Sequence, residues 1–312
     1  YGSGKSHLVK MLRALWVNTM FADGATARGI AKLPDDIKAH LTELDNQGKR
    51  HGGGLHAASG TLGSMGYDAV RPSFLSIVFK SLGQLEMIQV TRFVLYLREQ
   101  GFLEEMKAFV NGFSGSRGWD YELHNFYASD ALFEGFSKFK PGLFSSRDTW
   151  TDYLFNQYPH VTDISSRDVV DVLGDALKRD GKFPLTLIVI DEVQQYVGPS
   201  PDRLKDLQEI VETCCQQLGG KLLFIGTGQT AITHTENLKK LEGRFRVRVE
   251  LSDTDVDAVL RKIVLAKKPE ANPELEKLLE RNLGEVSRHL QGTTLAHRAD
   301  DISNFPKDYP IL

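Results

Sequence analysis

The chain has 312 residues, 41% of them hydrophobic and 25% charged, enough to bury a core of one large or two ordinary domains and too apolar for a disordered class. Lys plus Arg total 38 against 41 Asp plus Glu, a net charge of −3, so no global field draws nucleic acid and any DNA contact needs a local patch. The two cysteines, Cys214 and Cys215, are adjacent, which excludes a disulfide framework and a four-ligand zinc site; they read as small packed thiols in a reducing cytoplasm. No signal peptide and no run of 18 apolar residues is found, so neither export nor a membrane is expected.

The first stretch, YGSGKSHLVKML, carries the end of a phosphate-binding loop, with Gly4, Lys5 and Ser6 as the last three positions of G-x-x-x-x-G-K-[ST]. Gly2, Ser3, Gly4, Lys5, Ser6 and His7 form the expected nucleotide-binding stretch. Glycines let backbone N–H groups turn toward phosphate, the lysine reaches the β and γ phosphates, and the Ser6 hydroxyl ligates Mg²⁺. The pattern's first glycine falls two residues ahead of Tyr1, so the chain reads as a fragment that begins inside the loop. Leu8, Met11, Leu12, Leu15 and Trp16 recur at helical spacing, so the loop opens a helix whose N-terminus favours an anion.

More than 150 residues separate this helix from the next nucleotide motif, which points to an insertion at about 70–160. The glycine-rich RHGGGLHAASGTLGSMG, 50–66, lacks a Lys-Ser pair and reads as a mobile loop. RPSFLSIVFKSL and QVTRFVLYLREQGFLEEMKAFV then read as amphipathic helices, and His124 as a packed or surface imidazole rather than a ligand.

LTLIVIDE, 185–192, is a buried parallel strand ending in two acids, a Walker B pattern. Asp191 is placed to support Mg²⁺, and Glu192 to polarise an attacking water, which favours hydrolysis over phosphoryl transfer to a metabolite. Ser200 caps the next helix and Pro201 opens it, with Leu204, Leu207, Ile210, Val211, Cys214 and Leu218 on one face before Gly219 and Gly220. KLLFIGTGQT gives a strand over Leu222–Ile225 followed by polar residues. Among P-loop ATPases of the ASCE division the strand beside Walker B carries a sensor of water or γ-phosphate, for which Gln229 is the first choice and Thr227 the second; both are also ordinary turn residues.

In GRFRVRVEL, 243–251, Phe245, Val247 and Val249 alternate with Arg244, Arg246 and Arg248, predicting a strand with a core face and a charged one. Arg244 is the best candidate for a finger reaching a neighbouring subunit's γ-phosphate; a solvated face accounts for the other two. Past Leu251 the pattern turns helical, with Ser252 as N-cap and Val256, Val259, Leu260, Ile263 and Val264 at helical spacing. A second helix opens at Asn272-Pro273, with Leu275, Leu278, Leu279, Leu283, Val286 and Leu290 on its face. Arg281 and Arg288 are candidate lid sensors. The division expected is an α/β core over 1–251 and a truncated α-helical lid over 252–312.

Together YGSGKSHLVKML, LIVIDEVQQYVG, FIGTGQTAI, GRFRVRVELSDTDVDAVLRKIVLAKKP and FPKDYPIL resemble the BrxC/PglY group, the large P-loop ATPases of BREX bacteriophage-exclusion systems. The resemblance is strongest at 1–12 and 185–312 and weakest in the glycine-rich segment. It implies an α/β P-loop NTPase fold of the ASCE/AAA+ type, a parallel sheet sandwiched by helices with a helical insertion and a C-terminal α-helical lid. It implies a cytoplasmic ATPase using ATP and Mg²⁺, working as a homo-oligomer, and coupling turnover to assembly or action on phage DNA. Other BREX components, including a methyltransferase and a PglZ-type protein, are the implied partners, with DNA as a further contact. A STAND-like scaffold that binds nucleotide with little turnover has nearly the same sequence signature and stays open as the alternative.

Overall fold

The computed structural model describes residues 5–63, 68–228, 245, 247, 249, 265–290 and 306. It opens with α1 (Lys5–Val17), the short α2 (Ala27–Ile30) and α3 (Asp35–His51), followed by β1 (Leu55–Thr61). Seven helices come next: α4 (Val70–Ser81), α5 (Ile88–Glu99), α6 (Leu103–Gly112), α7 (Trp119–His124), α8 (Asp130–Phe139), α9 (Arg147–Gln157) and α10 (Ser166–Leu177). Then β2 (Leu185–Asp191), α11 (Val193–Val197), α12 (Pro201–Gln217), β3 (Leu222–Gly226) and α13 (Asn272–Leu290) follow. Two compact units divide the chain, one of Ser6–Arg248 and one of Val249–Leu312 with Tyr1–Lys5.

The three strands among the described residues form one parallel sheet in the order β1-β2-β3, with Leu55 opposite Leu185, Thr61 opposite Asp191 and Ile190 opposite Gly226. β2 sits in the middle because both its faces are apolar, as a strand covered on both sides requires. Its side chains alternate. Leu187 and Val189 pack with Val9 and Trp16 of α1, while Ile188 and Ile190 join a cluster supplied by α4, α10 and α12. The result is a mixed α/β sandwich, α1 on one face and α4, α10 and α12 on the other. Each of these buried aliphatic side chains stabilises it by about 1.5–3 kcal/mol.

The capping reading of α12 holds: the Ser200 side chain accepts from Arg203 N–H, Pro201 opens the helix, and Leu204, Leu207, Ile210, Val211 and Cys214 are buried. Cys214 belongs to the core and burial pushes its thiol up to about 12, whereas Cys215, expected to pack in the same way, is exposed. One turn of helix advances only 3.6 residues, so adjacent positions point in different directions.

Two sequence expectations are corrected. The stretch 50–66 is not a loop throughout, because β1 runs through its middle. The small residues that suggested a loop are what close packing demands here: a Cβ on Gly53 would lie 2.4 Å from the Phe183 carbonyl carbon, and one on Gly60 would lie 3.0 Å from Ile77 Cγ1 of α4. The alternating 243–251 stretch does not show the expected core face at its described positions, since Val247 and Val249 are 78% and 70% exposed and only Phe245 packs on the core. Alternation fixes which side chains share a face, but a strand needs a ladder partner and a covering layer, and Val247 and Val249 have neither among the described residues.

The helices between β1 and β2 serve two cores. α4 and α10 pack on the sheet, and α5 turns Ile88 and Leu95 toward that cluster. The other face of α5, with Val90, Phe93 and Leu97, joins α6–α9 around Phe126, Phe136, Trp150 and Tyr158 in a separate aromatic core. Arg71 of α4 ties the sheet-side helices together, reaching Asp163 at 3.0 Å, Asp206 at 2.8 Å and Glu209 at 3.2 Å. In the second unit, α13 carries Leu275, Leu279, Leu283 and Val286 half-buried and Leu278 exposed.

Candidate functional site

In an open parallel sheet the carboxyl ends of the strands are where loops diverge and ligands bind. Here that end carries Asp191 and Glu192 of β2 and Thr227, which follows β3. Glu192 occupies the N-cap position of α11 with φ 54° and ψ 43°, a left-handed conformation that costs a non-glycine residue about 1–3 kcal/mol and persists only where its surroundings enforce it.

Thr227 supplies that enforcement. Its N–H donates to Ile190 O at 3.0 Å, and its carbonyl accepts from Val193 N–H at 3.0 Å. Its Oγ1 accepts from Glu192 N–H at 3.0 Å and donates its own proton to Asp191 Oδ1, which also accepts from Glu192 N–H at 3.1 Å. One threonine thus bonds to four consecutive residues, 190 to 193. The Glu192 carboxylate, by contrast, makes no hydrogen bond or ion pair among the described residues, and Asp191 Oδ2 is left over once Oδ1 is engaged.

α1 runs antiparallel to β2. Trp16 Nε1, near its C-terminal end, donates to Leu185 O at 3.1 Å at the start of the strand, while Val9 packs on Leu187 and Val189 farther along. From Val9 back to Ser6 is about 4.5 Å of helix, and from Val189 on to Asp191 about 6.6 Å of strand. The first turn of α1 therefore lies at the Asp191 end of the sheet, where Ser6 and His7 are exposed. The far end of α1 is clamped by Arg28, which donates to Leu15 O at 2.7 Å and Trp16 O at 2.8 Å and pairs with Asp45 at 2.6 Å, satisfying carbonyls that a helix end leaves open.

Beside α11 lies a cleft of about 350 Å³, lined by Thr61, Gly63, Asp68, Gln195, Tyr196 and Arg203. Tyr196 is its fixed wall: the hydroxyl donates to Asp68 O at 2.9 Å, the Arg203 guanidinium stands 4.7 Å from the ring centre, and Arg203 Nη1 donates to Tyr196 O at 3.0 Å.

Of the expected site residues, Asp191, Glu192, Thr227 and Ser6 come to one end of the sheet. Lys5 opens α1. Gly2, Ser3, Gly4, Gln229, Arg244, Arg246 and Arg248 lie outside the described residues. Arg281 and Arg288 are exposed on α13. His124 is a surface imidazole, and its Nδ1 must be the donor in its 2.8 Å bond to Asp120 O, because a carbonyl only accepts. Sequence reasoning ranked Thr227 below Gln229; its place directly after the strand, within reach of the Asp-Glu turn, was the available signal. Tyr196 gave none, since it meets Gly63 and Asp68, far away in sequence, and Arg203 is placed through Tyr196. Among the described residues no helix is long and apolar enough to cross a membrane. No family model matches the chain, and no solved structure matches it significantly.

Proposed function

We propose that Ser6–Arg248 belongs to the nucleotide-hydrolysing core of an AAA+-type P-loop ATPase, in a phage-exclusion protein of the BrxC/PglY kind. The observation that carries this reading is the corner made by Thr227, Asp191 and Glu192 at the carboxyl end of the middle strand, with the first turn of α1 at the same end. The neighbouring strand β3 delivers Thr227 to the acids, as expected of a strand that carries a polar sensor.

The residues suit a magnesium–triphosphate ligand. Mg²⁺ keeps several waters and takes one or two protein oxygens together with phosphate, so Ser6 and Asp191 suffice and no cage of acids is required. Bound there, the ion would neutralise charge on the β and γ phosphates. The chain's own residues do the rest. Lys5 and the loop before it hold phosphate, and the α1 N-terminus favours the anion. Thr227 holds the Asp191 carboxylate and fixes the backbone of Glu192, whose uncommitted carboxylate accepts a proton from the attacking water. Arg244 would complete the site of a neighbouring subunit, which makes turnover dependent on oligomerisation. The place in phage defence, with methyltransferase and PglZ-type partners and DNA, rests on the sequence resemblance.

Nucleotide binding and phosphate release by the oligomeric protein test the reading. Glu192→Gln keeps the shape and hydrogen-bonding reach of the side chain but not its basicity. ATP binding should persist while release falls by about 10²–10⁴-fold. Unaltered release would remove Glu192 from the chemistry.

A further inference from the structure

A cavity of about 500 Å³ in the Ser6–Arg248 unit lies along β1, toward the opposite end of the sheet from Asp191. It opens beside the start of β1, between the end of α1, the end of α4 and the turn that precedes β2. Its charged and polar lining includes Arg13, Lys80, Arg179, His56, Ser59 and Ser81, and no carboxylate. Lys80 reaches Glu86 at 3.5 Å, but Arg13 and Arg179 make no ion pair among the described residues. Two uncompensated guanidinium groups around a cavity repel one another and attract an anion.

The geometry is set by named bonds. Arg13 Nη1 donates to Ser59 Oγ at 2.8 Å, which holds the guanidinium against β1 and leaves the Ser59 proton to donate elsewhere. β1 is an edge strand, paired only with β2 among the described residues. Because Gly54 O accepts from Leu185 N–H at 3.0 Å, the parallel ladder commits His56 and Ala58 to β2 and turns the backbone of Leu55, Ala57 and Ser59 to the open side, next to the cavity. Those N–H groups add neutral donors to the cationic ones.

His56 keeps a further positive charge out of the wall. Ser81 donates its proton to Val78 O at 2.6 Å, so in its 2.8 Å contact with His56 Nε2 it must accept, which fixes the neutral Nε2–H tautomer. Burial and the nearby Arg179 charge hold this imidazole down to about 4. Arg179 is therefore close enough for its charge to be felt at His56, and an anion bound between them would be reported by the ring.

We propose that this cavity is a second ligand site, distinct from the Asp191 end, that binds a phosphate group through Arg13, Arg179, Lys80 and Ser59. Planar guanidinium forks match phosphate oxygens in pairs, and the cavity is sized for one or two phosphates with part of what they are attached to. The same chemistry suits a free phosphoester and the backbone of a nucleic acid, and competition separates the two sources.

The test uses the chain with Lys5→Ala, so that phosphate binding at the other end is weakened from the start. Sodium pyrophosphate is titrated by calorimetry and by proton NMR of the His56 ring. Saturable binding with a shift of the His56 resonances is expected. Adding Arg13→Ala and Arg179→Ala should weaken binding about tenfold or more, and Arg13→Lys with Arg179→Lys should restore much of it. A short oligothymidylate that competes with pyrophosphate, with affinity falling steeply as salt is raised, assigns the site to a nucleic-acid backbone; failure to compete assigns it to free phosphoesters. The proposal is overturned if pyrophosphate does not bind saturably, if the double alanine variant binds it unchanged, or if an oligoglutamate peptide displaces it with higher affinity. None of these results depends on ATP turnover, so the assignment of the Asp191 end stands or falls separately.

Discussion

The sheet core and the helical core beside it are built by different rules. Under the sheet, the space between layers is set by small and aliphatic residues: Ala58 and Gly60 of β1 let α4 approach, and Ile188, Ile190, Leu173 and Ile210 fill the gap. In the helical module the filling is aromatic. Phe93 alone has ring neighbours Phe126 at 5.0 Å, Tyr158 at 5.6 Å, and Phe136 and Trp150 at 6.1 Å. A close-packed sheet fixes backbone positions to fractions of an ångström, which is what the Thr227–Asp191–Glu192 corner needs. The aromatic module gains its stability from a few large contacts and contributes no residue to that corner.

The largest expected effect breaks one region and spares the other. Trp150 is fully buried and meets Phe136 at 4.9 Å and Phe144 at 5.1 Å. Trp150→Ala should cost about 3–5 kcal/mol. Hydrogen exchange should then quicken across 88–158 well before β2. Trp150→Phe is the control: the indole N–H has no protein partner among the described residues, so losing it removes an unsatisfied donor and the cost should be far smaller. Equal loss of protection in β2 would mean that the two cores unfold as one.

The same difference decided what the sequence could reveal. LTLIVIDE showed β2 and its acids because a strand covered on both faces is apolar at every position, and α12 announced itself through Ser200 and Pro201. β1 stayed hidden because its packing requires Ala57, Ala58, Ser59 and Gly60, a run without the β-branched and aromatic residues that mark strands; tertiary packing overrode propensity. The helical character of α4, α5 and α6 was legible, but not that α4 is buried on nearly every side or that α5 serves two cores, since periodicity counts faces without saying what covers them. At the site, the two acids were readable from spacing, whereas the left-handed backbone of Glu192 and the four bonds of Thr227 arise only when β2 and β3 lie side by side.

Acid and base should sharpen the comparison next. His56, inside the sheet unit, titrates at 6.5 when unfolded and about 4 when folded, because burial and Arg179 oppose its charge. Between those values the unfolded chain binds a proton that the folded one does not, so stability should fall as pH drops from 6.5 to 4 and level off below, by at most about 3 kcal/mol. Tyr158, in the aromatic core, is pushed up from 10 by burial and by Tyr153. Its contribution is complete below pH 10 and declines as the unfolded phenol ionises above it. Urea unfolding across pH should show the acid limb flattened by His56→Gln and the alkaline limb flattened by Tyr158→Phe, each without effect on the other; a shared response would tie the two cores together electrostatically.

The smallest effect tests whether α4 dictates the small residues of β1. A Cβ at position 60 would stand 3.0 Å from Ile77 Cγ1 and 3.3 Å from Cγ2, closer than carbon atoms sit comfortably, and Ile77 is buried with little room to move. Overpacking of this kind costs about 1–3 kcal/mol. Against it, alanine restricts the unfolded chain more than glycine does, a gain of about 0.4–1 kcal/mol. Gly60→Ala should therefore destabilise by about 1 kcal/mol. Ile77→Ala removes both γ carbons and leaves space beside β1, so in that background the steric term vanishes while the unfolded-state gain remains, and Gly60→Ala should become neutral or stabilising. The change of sign is the measurement that matters, because coupling between contacting residues is what a double-mutant cycle isolates. If Gly60→Ala costs the same in both backgrounds, the glycine answers to the strand's own backbone, and the close approach of α4 is a consequence of the small residues rather than their cause.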